Sequence, residues 1–359
     1  MIRTRLSARL GMRYPIFSAG MGTVATPDLV VAVSDAGGLG VLGGVGYRPG
    51  ELRDAIREIR RRTDRPFGVD LLLPRQLLTR DAAFLGAVET ARESIPEDRR
   101  DEIGELATLL EPDTVRDQLA VVLDEAPPVF VSALGSPGDM VGELRERGVF
   151  VMSIVGSAAA ACRCVRDGVQ AIVAQGTEAG GHTGTVATTV LVPQVADAVD
   201  VPVVAAGGIA DGRGLAAALC LGAEGVWVGT RFVASIEAVG HEAYKRVVVA
   251  AQPADAVISR AYSGKTLRTY RNSWVREWEQ REPDAFPFQI THSAERLTTA
   301  FRLGDVEQGL APIGQVVGLV ADVQPAAQIV REMAEQAERV LAAAGGVAQP
   351  EIPVSGRDR

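Results

Sequence analysis

His182 lies in the stretch Gln175-Gly176-Thr177-Glu178-Ala179-Gly180-Gly181-His182-Thr183-Gly184, an imidazole set among glycines. A histidine held on a flexible, glycine-rich loop can lie beside a flat cofactor and exchange a proton near neutral pH, because its ordinary pKa is close to that of the medium. That makes His182 the candidate base. His241 and His292 have no such setting and read as surface or packing residues. Two other places offer backbone chemistry: Ala206-Gly207-Gly208-Ile209, which runs into a helix start at Asp211, and Val228-Gly229-Thr230. Glycine N–H groups at helix N-termini hold a dianionic phosphate without Lys or Arg, since the amide dipoles point at the anion. Together the two loops suit one phosphate, and the expected ligand is a mononucleotide.

Something must bring these segments together, and the hydrophobic pattern supplies it. Continuous apolar runs recur at Pro15-Met21, Gly38-Gly44, Pro66-Leu73, Val129-Gly135, Val149-Val155, Ala171-Gly176, Pro202-Gly208 and Gly225-Val233. Runs without polar alternation suit parallel strands covered on both faces. Helix-type segments separate them, at Asp28-Ala36, Gly50-Arg62, Asp139-Arg147, Ser157-Arg166 and Arg213-Leu221. Eight strands alternating with helices read as a (β/α)8 TIM barrel. In such barrels chemistry sits on the loops after the strands and phosphate is often held after the seventh and eighth, where both glycine loops fall. The expected layout is a barrel over residues 1–234 with a helical insertion at about 75–126, and a helical cap over 235–310. A closing helix over 311–345 and a disordered Gly- and Pro-bearing tail from 346 to 359 complete it.

Composition removes several function classes. A formal net charge of −8 over 359 residues argues against a nucleic-acid partner, which needs clustered basic residues to neutralise phosphates. The run Arg60-Arg61-Arg62 reads as the solvated end of a helix. No signal peptide or long apolar span is present, so the expectation is a cytoplasmic protein with no membrane partner. Cys162, Cys164 and Cys220 have no metal-ligand spacing and read as reduced packing residues, and no metal site is expected. Gly38-Leu39-Gly40-Val41-Leu42-Gly43 satisfies a dinucleotide fingerprint by letter, but it lies within a strand rather than after one. Walker and Gly-x-Ser-x-Gly motifs are absent, which sets aside nucleotide hydrolysis and serine-esterase chemistry. A homo-oligomer is left open.

Taken together, Pro15-Ile16 with Ala19-x-Met21, Gly68-Val69-Asp70, Ala174 to His182, Gly207-Gly208-Ile209 and Gly229-Thr230-Arg231-Phe232 resemble the nitronate monooxygenases, formerly called 2-nitropropane dioxygenases. The likeness continues into Trp274-Val275-Arg276-Glu277-Trp278 and Gly314-Gln315-Val316-Val317-Gly318-Leu319. The resemblance implies an FMN enzyme that oxidises alkyl nitronates or nitroalkanes with O2 to a carbonyl compound and nitrite, without NAD(P)H. His182 would be the base. Met21 and Gly22 would lie against the isoalloxazine, Gln175 and Gly180 near its edge, and Gly208, Gly229 and Thr230 around the phosphate. Ala19, Asp70, Gly181 and Gly207 complete the implied cofactor site. The family usually carries Asn where this chain has Asp70 and Pro where it has Gly20. A carboxylate near the flavin would oppose the negative charge of reduction, unless it is protonated or turned away.

Two relatives of that fold need NAD(P)H as electron donor: a flavin-dependent enoyl-acyl carrier protein reductase and an NAD(P)H:quinone reductase. IMP dehydrogenase-like barrels need a nucleophilic cysteine in the loop after the sixth strand, and this loop has none. A noncatalytic flavin-binding protein is the reading from another class.

Overall fold

The computed structural model describes residues 2–73, 82–93, 97, 113–286 and 288–347. The first nine strands are, in chain order, β1 (Ile16–Ser18), β2 (Val41–Gly43), β3 (Gly68–Leu72), β4 (Val129–Ala133), β5 (Phe150–Val155), β6 (Ala171–Gln175), β7 (Gly181–His182), β8 (Val203–Ala206) and β9 (Gly225–Val228). All but β7 form one eight-stranded sheet in the order β1-β9-β8-β6-β5-β4-β3-β2, with every recorded pairing parallel. A parallel bridge between Phe17 and Leu39 joins the two outer strands, so the sheet closes into the (β/α)8 barrel.

Burial on both faces explains the continuous apolar runs. All five residues of β4 are buried. Val129 and Val131 pack in the barrel interior with Phe17, Met152, Val173 and Trp227. Phe130 faces the other way and joins the cluster under the helices. The amino end of the barrel is floored by the helix Arg5–Arg9, whose Leu6 is fully buried. Glu224 fastens that helix: its carboxylate accepts from Arg5 and from the Leu6 N–H, and its carbonyl from Thr4 Oγ1.

Each expected run contains its strand, with one correction at the eighth. The strand ends at Val228, and Thr230–Val233 is a short helix. Periodicity alone cannot separate a buried apolar strand from a buried helical turn. The region after Val233 also departs from an all-helical cap, because β10 (Ala256–Ser259) and β11 (Leu267–Tyr270) form an antiparallel hairpin there. Of the insertion, the helices Ala82–Glu93 and Thr114–Glu125 are described, while residues 74–81, 94–96 and 98–112 lie outside the described residues. Of the tail expected to be disordered, 346–359, the first two residues still belong to the helix Ala326–Val347, and residues 348–359 lie outside the described residues.

Arg60 is less free than a solvated helix end: with Arg53 and Arg57 it ion-pairs Glu125, tying the helix Pro49–Arg62 to the end of the insertion. Of the three cysteines only Cys164 is buried, so the packing reading does not extend to the exposed Cys220. The last helix, Ala326–Val347, covers the helix Gly212–Cys220 that follows the Gly207-Gly208 loop. Contact is so close that a Cβ on Gly212 would lie 2.3 Å from the Ala337 amide nitrogen. Gln336 Oε1 accepts the Gly212 N–H at 2.7 Å. Among the described residues no helix is long and apolar enough to cross a membrane.

Candidate active site

A cavity of about 1400 Å³ opens at the carboxyl end of the barrel strands, under the cap. His182, Ala19, Met21, Gly22, Asp70, Gln175, Gly180, Gly181, Gly207, Gly208, Gly229 and Thr230 all line it. The fold thus brings every sequence-selected position to one place, and the local reasons differ from residue to residue.

The His182 segment is pinned rather than flexible. His182 sits on β7, which pairs antiparallel with β11 and makes β10-β11-β7 a small second sheet over the barrel mouth. Thr177 N donates to Val186 O at 2.8 Å, Thr183 Oγ1 to Gly176 O at 3.0 Å and Arg268 Nε to Thr177 O at 2.9 Å. The Glu178 carboxylate accepts from both the amide and the hydroxyl of Thr188. Gly180 serves close approach: a Cβ there would lie 2.8 Å from the Ile313 carbonyl carbon. So many fixed contacts hold the imidazole in one place, where a mobile loop would have to order it on binding.

His182 Nε2 lies 3.0 Å from Ser263 Oγ, and Gln175 Nε2 donates to the His182 carbonyl at 2.6 Å. Burial, with the Lys265 charge adding to it, brings the imidazole pKa down to about 4. Removing the ring from water penalises its cationic form, so it is neutral at pH 7. Ser263 and Lys265 both belong to the turn between β10 and β11, and no motif announces them. One signal was available. The chain has only two lysines among its 37 basic residues, and neither lies fully in solvent: Lys245 is buried and Lys265 half-buried. The Lys265 Nζ sits 4.3 Å from the centre of the Phe286 ring. Burial lowers its pKa, and among the described residues no carboxylate pairs with it.

Asp70 points into the barrel from β3 and is buried. Gly20 packs directly on it, so the two positions that depart from the usual family pattern are in contact. At the other side of the cavity, Gly207 and Gly208 have φ of 95° and 71°, a left-handed backbone that favours glycine. Thr230 Oγ1 accepts the Gly314 N–H at 2.9 Å, so this hydroxyl holds the segment leading to the last helix. Among the described residues the amides of Gly208, Gly229 and Thr230 find no protein acceptor. Groups of His, Cys, Asp and Glu that could hold a metal ion are absent among the described residues.

With this geometry in hand, comparisons with known proteins place the chain. The family model described as nitronate monooxygenase matches residues 3–336. A Staphylococcus aureus protein named "Probable nitronate monooxygenase" is 32% identical over 354 residues, covering 94% of this chain and 98% of its own. Among solved structures, FabK from Thermotoga maritima superposes with a TM-score of 0.80 at 35% identity, over 97% of this chain and 100% of that one. Nitroalkane oxidase from Streptomyces ansochromogenes gives a TM-score of 0.80 at 30% identity, over 94% of this chain and 99% of that one.

Proposed function

The chain belongs to the nitronate monooxygenase family and is an oxidoreductase, and on that premise we propose that it binds FMN and oxidises alkyl nitronates with O2 to a carbonyl compound and nitrite. The observation that carries the reading is the neutral His182 imidazole, fixed beside a half-buried Lys265 that has no carboxylate partner among the described residues, in a cavity whose far side is a glycine cradle. FMN, when bound, supplies the electron acceptor and the route to O2. The amides of Gly208, Gly229 and Thr230 would hold its phosphate, with Ala19, Met21, Gly22 and Gln175 against the ring. Gly180, Gly181 and Gly207 act as backbone: Gly180 and Gly207 let segments approach closely enough to shape the cradle, and Gly181 supplies a left-handed backbone at φ 77°.

The anion of a nitronate needs a positive partner, and Lys265 supplies one next to His182. A cation partly withdrawn from water gains more from such pairing than an exposed one. With Nε2–H donated to Ser263 Oγ, the Nδ1 lone pair of His182 is left for a proton on the substrate's α-carbon. An acceptor of pKa about 4 is a weak match for proton abstraction at pH 7. We therefore favour the preformed nitronate over the neutral nitroalkane as the better substrate.

The likeness to FabK supports a second reading, an enoyl-acyl carrier protein reductase that takes electrons from NAD(P)H. Anaerobic addition of ethyl nitronate and of NADPH to the purified protein in separate cuvettes distinguishes them. Bleaching of the flavin spectrum by nitronate alone is the expected result. Bleaching by NADPH alone points to the reductase.

A further inference from the structure

Asp70 is 6% exposed and projects inward between Gly43 of β2 and Val131 of β4, its register partners. Its Oδ1 is buried with no hydrogen-bond partner. A Cβ on Gly20 would lie 2.4 Å from the Asp70 Cβ and 2.7 Å from Oδ2, so only glycine at position 20 leaves room for this carboxyl. None of the three neighbours carries a charge. The other ionisable side chains lining the cavity are Glu178, His182, Tyr244 and Lys265 beside the cap, and Asp139, Arg163, Cys164, Arg166 and Asp167 on the β4 and β5 side; burial pushes the Tyr244 hydroxyl and the Cys164 thiol upward, which keeps both protonated at neutral pH. Among the described residues none of them bonds Asp70, and burial alone pushes its pKa up to about 8. A carboxylate moved out of water without a cation or donors is strongly disfavoured, and the group takes a proton instead. In that form it can donate a hydrogen bond, which a carboxylate cannot.

We propose that Asp70 meets the bound flavin as a neutral carboxylic acid, donating a hydrogen bond to a polar edge of the ring system, and that its ionisation weakens flavin binding. The proposal rests on the flavin reading above. Gly20 makes the arrangement possible by withdrawing its side chain. The acid completes the partner shell of its own carboxyl through the ligand, and it places no negative charge where reduction will bring one.

The test is fluorescence titration of the apoprotein with FMN at pH 7, 8 and 9, for the wild type, Asp70→Asn and Lys265→Met. FMN affinity of the wild type should fall about tenfold between pH 7 and pH 9, the loss expected when a group of pKa about 8 must be protonated for binding. Asp70→Asn keeps a donor that does not ionise, and its affinity should stay flat over the same range. Lys265→Met should retain the wild-type fall, which assigns it to Asp70 rather than to loss of the lysine charge. His182 is already neutral throughout this range and contributes no slope. Should Asp70→Asn fail to fold, Asp70→Ser takes its place as a smaller neutral donor. A parallel fall in wild type and Asp70→Asn, or a flat wild type, overturns the proposal while leaving the flavin reading standing. A wild type that binds no flavin at any of these pH values overturns both.

Discussion

At its amino end the barrel closes on a helix whose polar groups are answered by protein: Thr4 and Ser7 cap one another, Glu224 takes the Arg5 side chain and the Leu6 amide, and Leu6 itself fills the floor. At its carboxyl end the barrel and the hairpin above it present groups that protein does not answer. Asp70 Oδ1 has no partner, Lys265 has no carboxylate, and the amides of Gly208, Gly229 and Thr230 have no acceptor among the described residues. An unsatisfied buried polar group costs about 1–3 kcal/mol. Of these groups Asp70 Oδ1 is the buried one, so the free-energy cost that a ligand of the right polarity removes sits at that carboxyl, while the floor holds stability. One strand can serve both tasks, as β3 does with Val69 and Leu71 facing outward under the helices and Asp70 facing inward at the site.

The contrast is broken first at His182. His182→Asn should lower kcat/KM on a neutral nitroalkane by about a hundredfold, the low end of the range for a positioned base because its pKa lies well below the working pH, with a much smaller loss on preformed nitronate. Oxygen-consumption kinetics on both substrates measure it. Equal losses together with flavin release would make His182 a structural residue of the mouth. In the wild type the base is the neutral imidazole, which predominates above its pKa. Activity on nitroalkane should accordingly hold level near pH 7 and fall only as pH drops toward about 4.

At the floor the expectation reverses. Leu6→Ala leaves a cavity where a fully buried side chain stood, and should lower unfolding free energy by about 2–5 kcal/mol with flavin content per folded chain unchanged. Denaturant melts and cofactor analysis read the two quantities separately, and a matching loss of flavin would mean that floor and mouth are one unit. The smallest effect sharpens the mouth alone: Lys265→Met should raise KM for nitronate about tenfold at constant kcat, equivalent to about 1.4 kcal/mol of lost ion pairing. A change confined to kcat would assign the lysine to another step.

Features local in sequence were the legible ones. The eight strands announced themselves because parallel strands buried on both faces must be apolar throughout, and the glycine loops because Gly207 and Gly208 need positive φ. The His182 motif was readable, but its pinning was not, since β7 exists only through pairing with β11, about 85 residues along the chain. Ser263 and Lys265 reach the cavity by that same tertiary pairing and have no spacing to betray them. The substitutions at 20 and 70 were visible one at a time. That they are a single event, a carboxyl seated against a missing side chain, needed the distance between them.

The last helix adds a constraint of timing. Gly212 and the helix it begins are covered by Gln336 and Ala337, so the element that follows the proposed phosphate loop is finished by residues made more than a hundred positions later. A chain emerging from the ribosome has all its barrel strands outside before that cover exists. Cofactor loading should then be an event of the released protein. Ribosome-arrested chains ending before Ala326 are expected to bind FMN weakly, and tight binding by such chains would show that the barrel sets its own loop during synthesis.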